Sequence, residues 1–138
     1  LGGVHVDYDR GLDGHSDADV LAHAISDALL GAVRGGDIGK LFPDTDPAYK
    51  DADSLKLLAE VARFVRERGF EIIDVDSVIA AQAPKLSPYR EAMRENLAAA
   101  MGVPVENVGV KATTTEHLGH EGREEGITAY ATCLVCRI

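Results

Sequence analysis

The run FEIIDVDSVIAAQ at residues 70–82 constrains the fold more than any other stretch. It is rich in Ile and Val and reads as a strand. Helical patterns lie on both sides of it. Upstream, Leu57, Leu58, Val61, Phe64 and Val65 form an apolar stripe that starts from a cap at Asp53 or Ser54, and Gly69 ends it. Downstream, Ser87 and Pro88 open a helix with Pro at its first position. Tyr89, Met93, Leu97, Ala100 and Met101 fall on one side of that helix, and Gly102 closes it. Helices of this kind need a sheet to cover.

Two more strand-like segments, residues 108–113 and 127–138, extend that sheet and are joined by a Gly- and Glu-rich loop. A first helix is expected from a cap at Ser16 or Asp17 to about Val33, with Val20, Leu21, Ala24, Leu29 and Leu30 as its apolar positions. Gly35 and Gly36 stop it. Residues 36–52 read as an irregular, turn-rich loop of the kind that carries function beside rigid elements. The opening LGGVHVDY reads as an edge strand or hairpin arm. The expected fold class is α/β (α+β): one domain over residues 1–138, with a small mixed sheet and about three helices on one face.

A chain of 138 residues is long enough for one substantial core. Its 14 Lys and Arg against 23 Asp and Glu leave a formal net charge of −9, without the basic footprint of a nucleic-acid binder. So acidic a chain suits an anionic substrate only if bound cations reverse the local field. No apolar run approaches the roughly 20 residues of a membrane span. Cys133 and Cys136 stand three apart on a strand-like segment and so point to opposite faces. They read as reduced core cysteines of a cytosolic-type protein rather than a disulfide or shared metal site.

The chemistry gathers in a few places. GHSDADVLAHAISDALLG (residues 14–31) sets His15 and Ser16 just before a helix start, where free N–H groups and the dipole favour an anion. The plainer reading is a loop with an N-cap. His23 and Asp27 stand four apart on that helix, so the carboxylate can hold one imidazole nitrogen while the other binds a metal. A helical His by itself is more often a satisfied or exposed residue. Asp37, Ile38 and Gly39 read as a plain turn, while Asp44 and Asp46 are either solvated turn charges or acceptors for sugar-alcohol hydroxyls. Residues 81–87 leave a strand end, a common ligand position in α/β folds. They are either a simple connection with a surface Lys85, or amides that read a base while Lys85 meets a phosphate. Thr113, Thr114, Thr115 and Glu116 either continue a strand or form a phosphate cradle with a magnesium-holding carboxylate.

Together with GDIGKLFPDTD (residues 36–46), AQAPK (residues 81–85) and KATTTEHLG (residues 111–119), these motifs closely resemble the 2-C-methyl-D-erythritol 2,4-cyclodiphosphate synthases of the non-mevalonate isoprenoid pathway. The resemblance runs the length of the chain. It implies conversion of 4-diphosphocytidyl-2-C-methyl-D-erythritol 2-phosphate to the 2,4-cyclodiphosphate: the 2-phosphate attacks the β-phosphorus and CMP leaves. It makes His23 a ligand of Zn2+ or another divalent metal, and Glu116 a ligand of Mg2+ or Mn2+. His15 and Thr114 are implied transition-state stabilisers, with Ser16 also on phosphate. Asp37, Ile38 and Gly39 with Phe42, Pro43, Asp44, Thr45 and Asp46 would wall the erythritol. Ala81, Gln82, Ala83, Pro84, Lys85, Leu86 and Ser87 would take cytosine and ribose. Thr113, Thr114 and Thr115 would cradle phosphates, joined by Arg123, whose fork suits them. His120 stands where relatives often have an aromatic residue near the cytidine, and Glu124 and Tyr130 also depart from the family pattern.

The same resemblance implies a homotrimer with active sites between subunits. Residues 81–87 and 113–123 would then face the metal site of the adjacent chain, and the last strand would be buried on both faces. The family's other zinc ligands are an Asp-x-His pair on an N-terminal strand, and no such pair precedes His15; His5, Val6 and Asp7 run in reverse. A missing first strand is therefore expected, and poor zinc binding if the protein truly starts at Leu1. A fusion to the preceding cytidylyltransferase is a further possibility the family allows. The implied location is the bacterial cytoplasm, or the plastid stroma in a plant. Two rivals stay open: a metal-dependent phosphohydrolase releasing inorganic phosphate, and a non-catalytic relative binding cytidine nucleotides or isoprenoid diphosphates.

Overall fold

A computed structural model of the chain describes residues 1–6, 19–42 and 53–138. Residues 70–82 do supply the central strand, β1 (Phe70–Ala80). It pairs in parallel with β2 (Val108–Thr113) from Val75↔Val108 to Ala80↔Thr113. On its other edge it pairs antiparallel with β3 (Thr128–Arg137) from Phe70↔Arg137 to Ala80↔Thr128, with a bulge at Ile73 between Ile72 and Asp74. The order is β2-β1-β3, a mixed sheet as expected. Parallel neighbours need a crossover. Here it holds a 3-10 turn at Ser87–Tyr89 and then a helix at Arg90–Met101, so the expected third helix opens as a 3-10 turn.

Five α-helical segments are present among the described residues: α1 (Val20–Ala32), the single turn α2 (Ile38–Leu41), α3 (Ser54–Glu67), α4 (Arg90–Met101) and the short α5 (Gly119–Gly122). The long α1, α3 and α4 cover one face of the sheet. Leu21, Ile25 and Leu29 of α1, Leu58, Val61 and Val65 of α3, and Met93, Leu97 and Met101 of α4 enclose Val75 and Ile79 of β1 and Val108 of β2. The stripes read from sequence are these faces, with Phe64 and Tyr89 at their partly buried margins, except that Val20 and Ala24 of α1 stand outside the core. None of the described helices is long and apolar enough to cross a membrane.

Several expectations need correction. The cap of α1 is Asp19, not Ser16 or Asp17, which lie outside the described residues. Its side chain accepts Ala22 N–H at 3.0 Å and also Gly2 N–H and Gly3 N–H at 2.9 and 2.8 Å. A carboxylate only 5% exposed needs such donors. They hold residues 1–4 in a turn with Val4 N–H on the Leu1 carbonyl, where a strand was expected. Gly2 and Gly3 have positive φ, and a Cβ on Gly3 would stand 2.3 Å from a Leu55 methyl.

The stop of α1 also differs in detail. Arg34, at φ 59°, takes the left-handed position, with Arg34 N–H on Gly31 O and Gly35 N–H on Leu30 O. This is a Schellman arrangement with Arg where glycine is favoured. Within the expected loop, Asp37 caps α2 through Lys40 N–H at 2.9 Å.

Strand β3 alternates in burial within the single chain. Ala129, Ala131, Cys133 and Val135 pack on the core, while Tyr130 and Leu134 are each 60% exposed in the single chain. Cys133 and Cys136 are free and differ in burial; Cys133 is half-buried with Sγ on Ala28 O, and burial raises its thiol pKa. Cys136 is exposed instead of being a core residue. On the uncovered face Lys111 pairs with Asp76, holding its carboxyl below the usual range.

Candidate active site

The parallel strands β1 and β2 end side by side, and their pairing decides what meets beyond them. Ala81 N–H donates to Thr113 O at 2.9 Å, so residues 81–87 and 113–119 leave the sheet at the same carboxyl end. Crevices at such strand ends are where open α/β sheets receive ligands. The Ala83-Pro84 peptide in the first loop is cis. Lys85 is exposed there, whereas Ala81 and Leu86 are buried in the core and can meet a ligand only through their backbone. Gln82 turns its side chain to the second loop, and Oε1 accepts His117 N–H at 3.0 Å.

The second loop folds back tightly. Glu116 and His117 have φ of 55° and 63°, a conformation that costs a residue with a Cβ about 1–2 kcal/mol. Glu116 N–H donates to Thr114 Oγ1 at 3.3 Å, and the Thr115 hydroxyl donates to Leu118 O at 2.5 Å. The Thr113 hydroxyl donates to Thr114 O at 3.0 Å. With Oγ1 accepting, the Thr114 hydroxyl keeps its proton for an outside acceptor. Thr113, Thr114 and Glu116 are exposed and Thr115 is partly covered, so residues 114–116 leave β2 as a turn instead of continuing it.

Farther along, His120 Nε2 lies 3.2 Å from Thr128 Oγ1, and the Thr128 hydroxyl donates to Glu121 Oε2 at 2.8 Å. Since that hydroxyl has given its proton away, His120 supplies the hydrogen in their contact. The Thr128 bond leads in holding the Glu121 carboxyl below its ordinary range. Arg123 is not a free fork; Nε reaches both Glu125 oxygens at 3.1 Å, and the pairing raises the guanidinium pKa and lowers that of Glu125. A phosphate must displace or share that carboxylate.

A second group forms on α1. His23 Nε2 stands 3.1 Å from Asp27 Oδ2, with the two side chains 59% and 39% exposed. Asp27 Oδ1 accepts Ile38 N–H at 2.7 Å, so one carboxylate ties the histidine to the segment holding Asp37, Ile38 and Gly39. The first of these contacts is legible from the i, i+4 spacing. The second joins residues eleven apart and leaves no periodic signal. Asp37 is occupied as the cap of α2, and Phe42 is buried in the core, so neither stands as a free wall residue. The predicted His15, Ser16, Pro43, Asp44, Thr45 and Asp46 lie outside the described residues.

For a metal, the pair leaves His23 Nδ1 as the ligating nitrogen, with its ring oriented by Asp27. Glu116 offers an exposed carboxylate. Among the described residues no three His, Cys, Asp or Glu side chains gather to hold an ion. A structural or catalytic zinc needs at least three protein ligands, so His23 fits as one member of a larger set.

Comparison with known proteins adds to this geometry. The YgbB family matches residues 1–136. A 2-C-methyl-D-erythritol 2,4-cyclodiphosphate synthase from Laribacter hongkongensis is 61% identical over 135 residues, spanning 98% of this chain and 83% of that protein. Among solved structures, the bifunctional IspDF of Campylobacter jejuni has a TM-score of 0.94 at 44% identity, covering 99% of this chain and 37% of that one. A 2C-methyl-D-erythritol-2,4-cyclodiphosphate synthase in a CDP-bound form has a TM-score of 0.83 at 37% identity, covering 91% of this chain and 81% of that one.

Proposed function

The chain belongs to the YgbB family of 2-C-methyl-D-erythritol 2,4-cyclodiphosphate synthases, and from that premise we propose how its residues divide the work. The reaction converts 4-diphosphocytidyl-2-C-methyl-D-erythritol 2-phosphate to 2-C-methyl-D-erythritol 2,4-cyclodiphosphate and releases CMP. The attacking 2-phosphate is already an anion. The protein therefore needs no strong base, only a folded substrate, screened charge and an in-line approach.

The observation that carries the assignment is the joining of residues 81–87 and 113–119 at the carboxyl ends of β1 and β2, through Ala81 N–H on Thr113 O. In this reading the first loop takes the cytidine, with backbone groups on the base and Lys85 on phosphate. A CDP-bound relative of the same fold supports it. The Thr114 hydroxyl donates to a phosphoryl oxygen as charge develops there. Glu116 would hold a magnesium or manganese ion, and His23 Nδ1 with further ligands would hold zinc or a similar ion. Such ions supply Lewis acidity and offset negative charge at the diphosphate, which an acidic chain could not otherwise tolerate. His15 and Ser16 bind phosphate, and Asp46 accepts from the erythritol hydroxyls.

Among the described residues no three metal-binding side chains gather within one chain, and the sheet face with Tyr130 and Leu134 is uncovered in the single chain. Both features support a homotrimer of single-domain subunits whose sites combine α1 of one copy with the strand ends of its neighbour. Sedimentation equilibrium tests it: a monomeric mass at micromolar concentration sinks the shared-site reading. The reaction itself is tested by phosphorus NMR of the full-length protein with substrate, zinc and magnesium. CMP with a cyclic diphosphate is expected, whereas inorganic phosphate would make the protein a hydrolase.

A further inference from the structure

Glu116 and His117 are consecutive residues held at φ 55° and 63°. Side chains disfavour that region, and a protein keeps it only where the surroundings fix it. Three contacts do so. Gly122 lies so close that a Cβ on it would stand 2.2 Å from the His117 carbonyl carbon. Thr114 Oγ1 accepts Glu116 N–H at 3.3 Å. Gln82 Oε1 accepts His117 N–H at 3.0 Å, and this bond arrives from the loop after β1. A backbone N–H can be met only by the oxygen of a carboxamide, which fixes how the Gln82 amide is turned.

We infer that Gln82 is a positioning residue: its amide oxygen clamps the left-handed turn at Glu116 and His117, setting the Glu116 carboxylate and the Thr114 hydroxyl in place from the cytidine side of the site. The inference rests on the reading of residues 113–116 as the phosphate turn. It gives Gln82 a task other than touching the base, and it links the loop that takes the nucleoside to the turn that meets the phosphates. Without the clamp the His117 N–H turns to water, and the pair relaxes toward right-handed conformations that carry Glu116 away. Glycine at position 117 adopts the left-handed conformation without penalty and so needs the clamp less.

The test compares the full-length wild type with Gln82→Met, His117→Gly and the double variant. Hydrogen exchange of residues 114–120, CDP affinity by calorimetry, and kcat and KM for CMP release are measured on each. Losing one clamping hydrogen bond is expected to speed His117 amide exchange and lower kcat by about tenfold each in Gln82→Met. CDP affinity and KM should stay within about twofold, because the base-reading backbone is untouched. Adding His117→Gly should restore most of the lost kcat. An unchanged kcat in Gln82→Met, or a loss of CDP affinity that His117→Gly does not restore, overturns the inference and makes Gln82 a direct ligand contact. Failure of the wild type to release CMP would sink the phosphate-turn reading instead, while amide exchange reports the clamp with no substrate present.

Discussion

Asp27→Asn separates the two tasks of one carboxylate. Oδ1 accepts Ile38 N–H at 2.7 Å and Oδ2 stands 3.1 Å from His23 Nε2. Asparagine keeps an oxygen for Ile38 but sets an NH2 against Nε2. With Nδ1 on a metal, Nε2 carries the hydrogen, so two donors face each other and the imidazole loses its anchor. Losing such a partner typically lowers metal affinity by about 10–100-fold, or about 1.4–2.7 kcal/mol. Both side chains are more than a third exposed, so the pair itself contributes only about 0–1 kcal/mol to folding. Asp27→Ala removes the Ile38 bond as well and should cost about 1 kcal/mol more in stability. Competitive zinc titration of the full-length protein against a chromophoric chelator, with thermal unfolding in parallel, measures both effects. An Asn variant that holds zinc within about twofold of wild type would refute the orienting role.

Other outcomes follow from the same geometry. Arg34→Gly relieves a left-handed arginine, a gain of about 1–2 kcal/mol, offset by about 0.5–1 kcal/mol of added unfolded-state freedom. At about 2.1 cal/mol/K per residue the net gain of about 0–1.5 kcal/mol should raise Tm by up to roughly 5 °C in calorimetry, and a fall in Tm would mean the cap is relaxed in solution. Glu116→Gln should cut turnover by at least about tenfold while zinc retention holds; parallel loss of both would show that the second metal is misplaced. Toward acid, Glu71, Asp76, Glu121 and Glu125 share one sign. Their carboxyls are lowered by, respectively, the Ile72 N–H with Arg66, Lys111, the Thr128 hydroxyl and Arg123. The stability they contribute is complete above their ordinary values of 4.5 for Glu and 3.8 for Asp, and drains as pH falls through the lowered ones. Urea midpoints should therefore fall below about pH 4, modestly because solvent screens these exposed groups, and less in Asp76→Asn; equal falls would remove Asp76 from the account.

Local pattern alone was enough for the three long helices and the three strands, though not for the opening turn or the short helices α2 and α5. The apolar stripes around Leu58, Val61 and Val65 and around Met93 and Leu97, the Ile- and Val-rich run at 70–82, and stops at Gly69 and Gly102 arise from neighbours within a turn or two. Such short-range preferences survive folding because burial reinforces them. The motif order that marks the family is also a property of sequence. Where several residues could do one job, sequence left a choice open. The expected cap was Ser16 or Asp17, and Asp19 took the role through the Gly2 and Gly3 amides brought back from the chain's opening. Strand β3 is apolar on both sides, yet only alternate residues find a helix to cover them in the single chain.

The site depended on tertiary structure most of all. Nothing in the spacing of Gln82 and His117, 35 apart, or of Asp27 and Ile38 foretells their bonds. Those contacts exist because β1 and β2 run parallel and end together, and because α2 returns to α1. Sequence determined which residue types were present and which segments were helix or strand, since periodicity and propensity are local. Only the folded chain decided which lone polar groups would meet, because a hydrogen bond a few ångströms long depends on where whole elements pack.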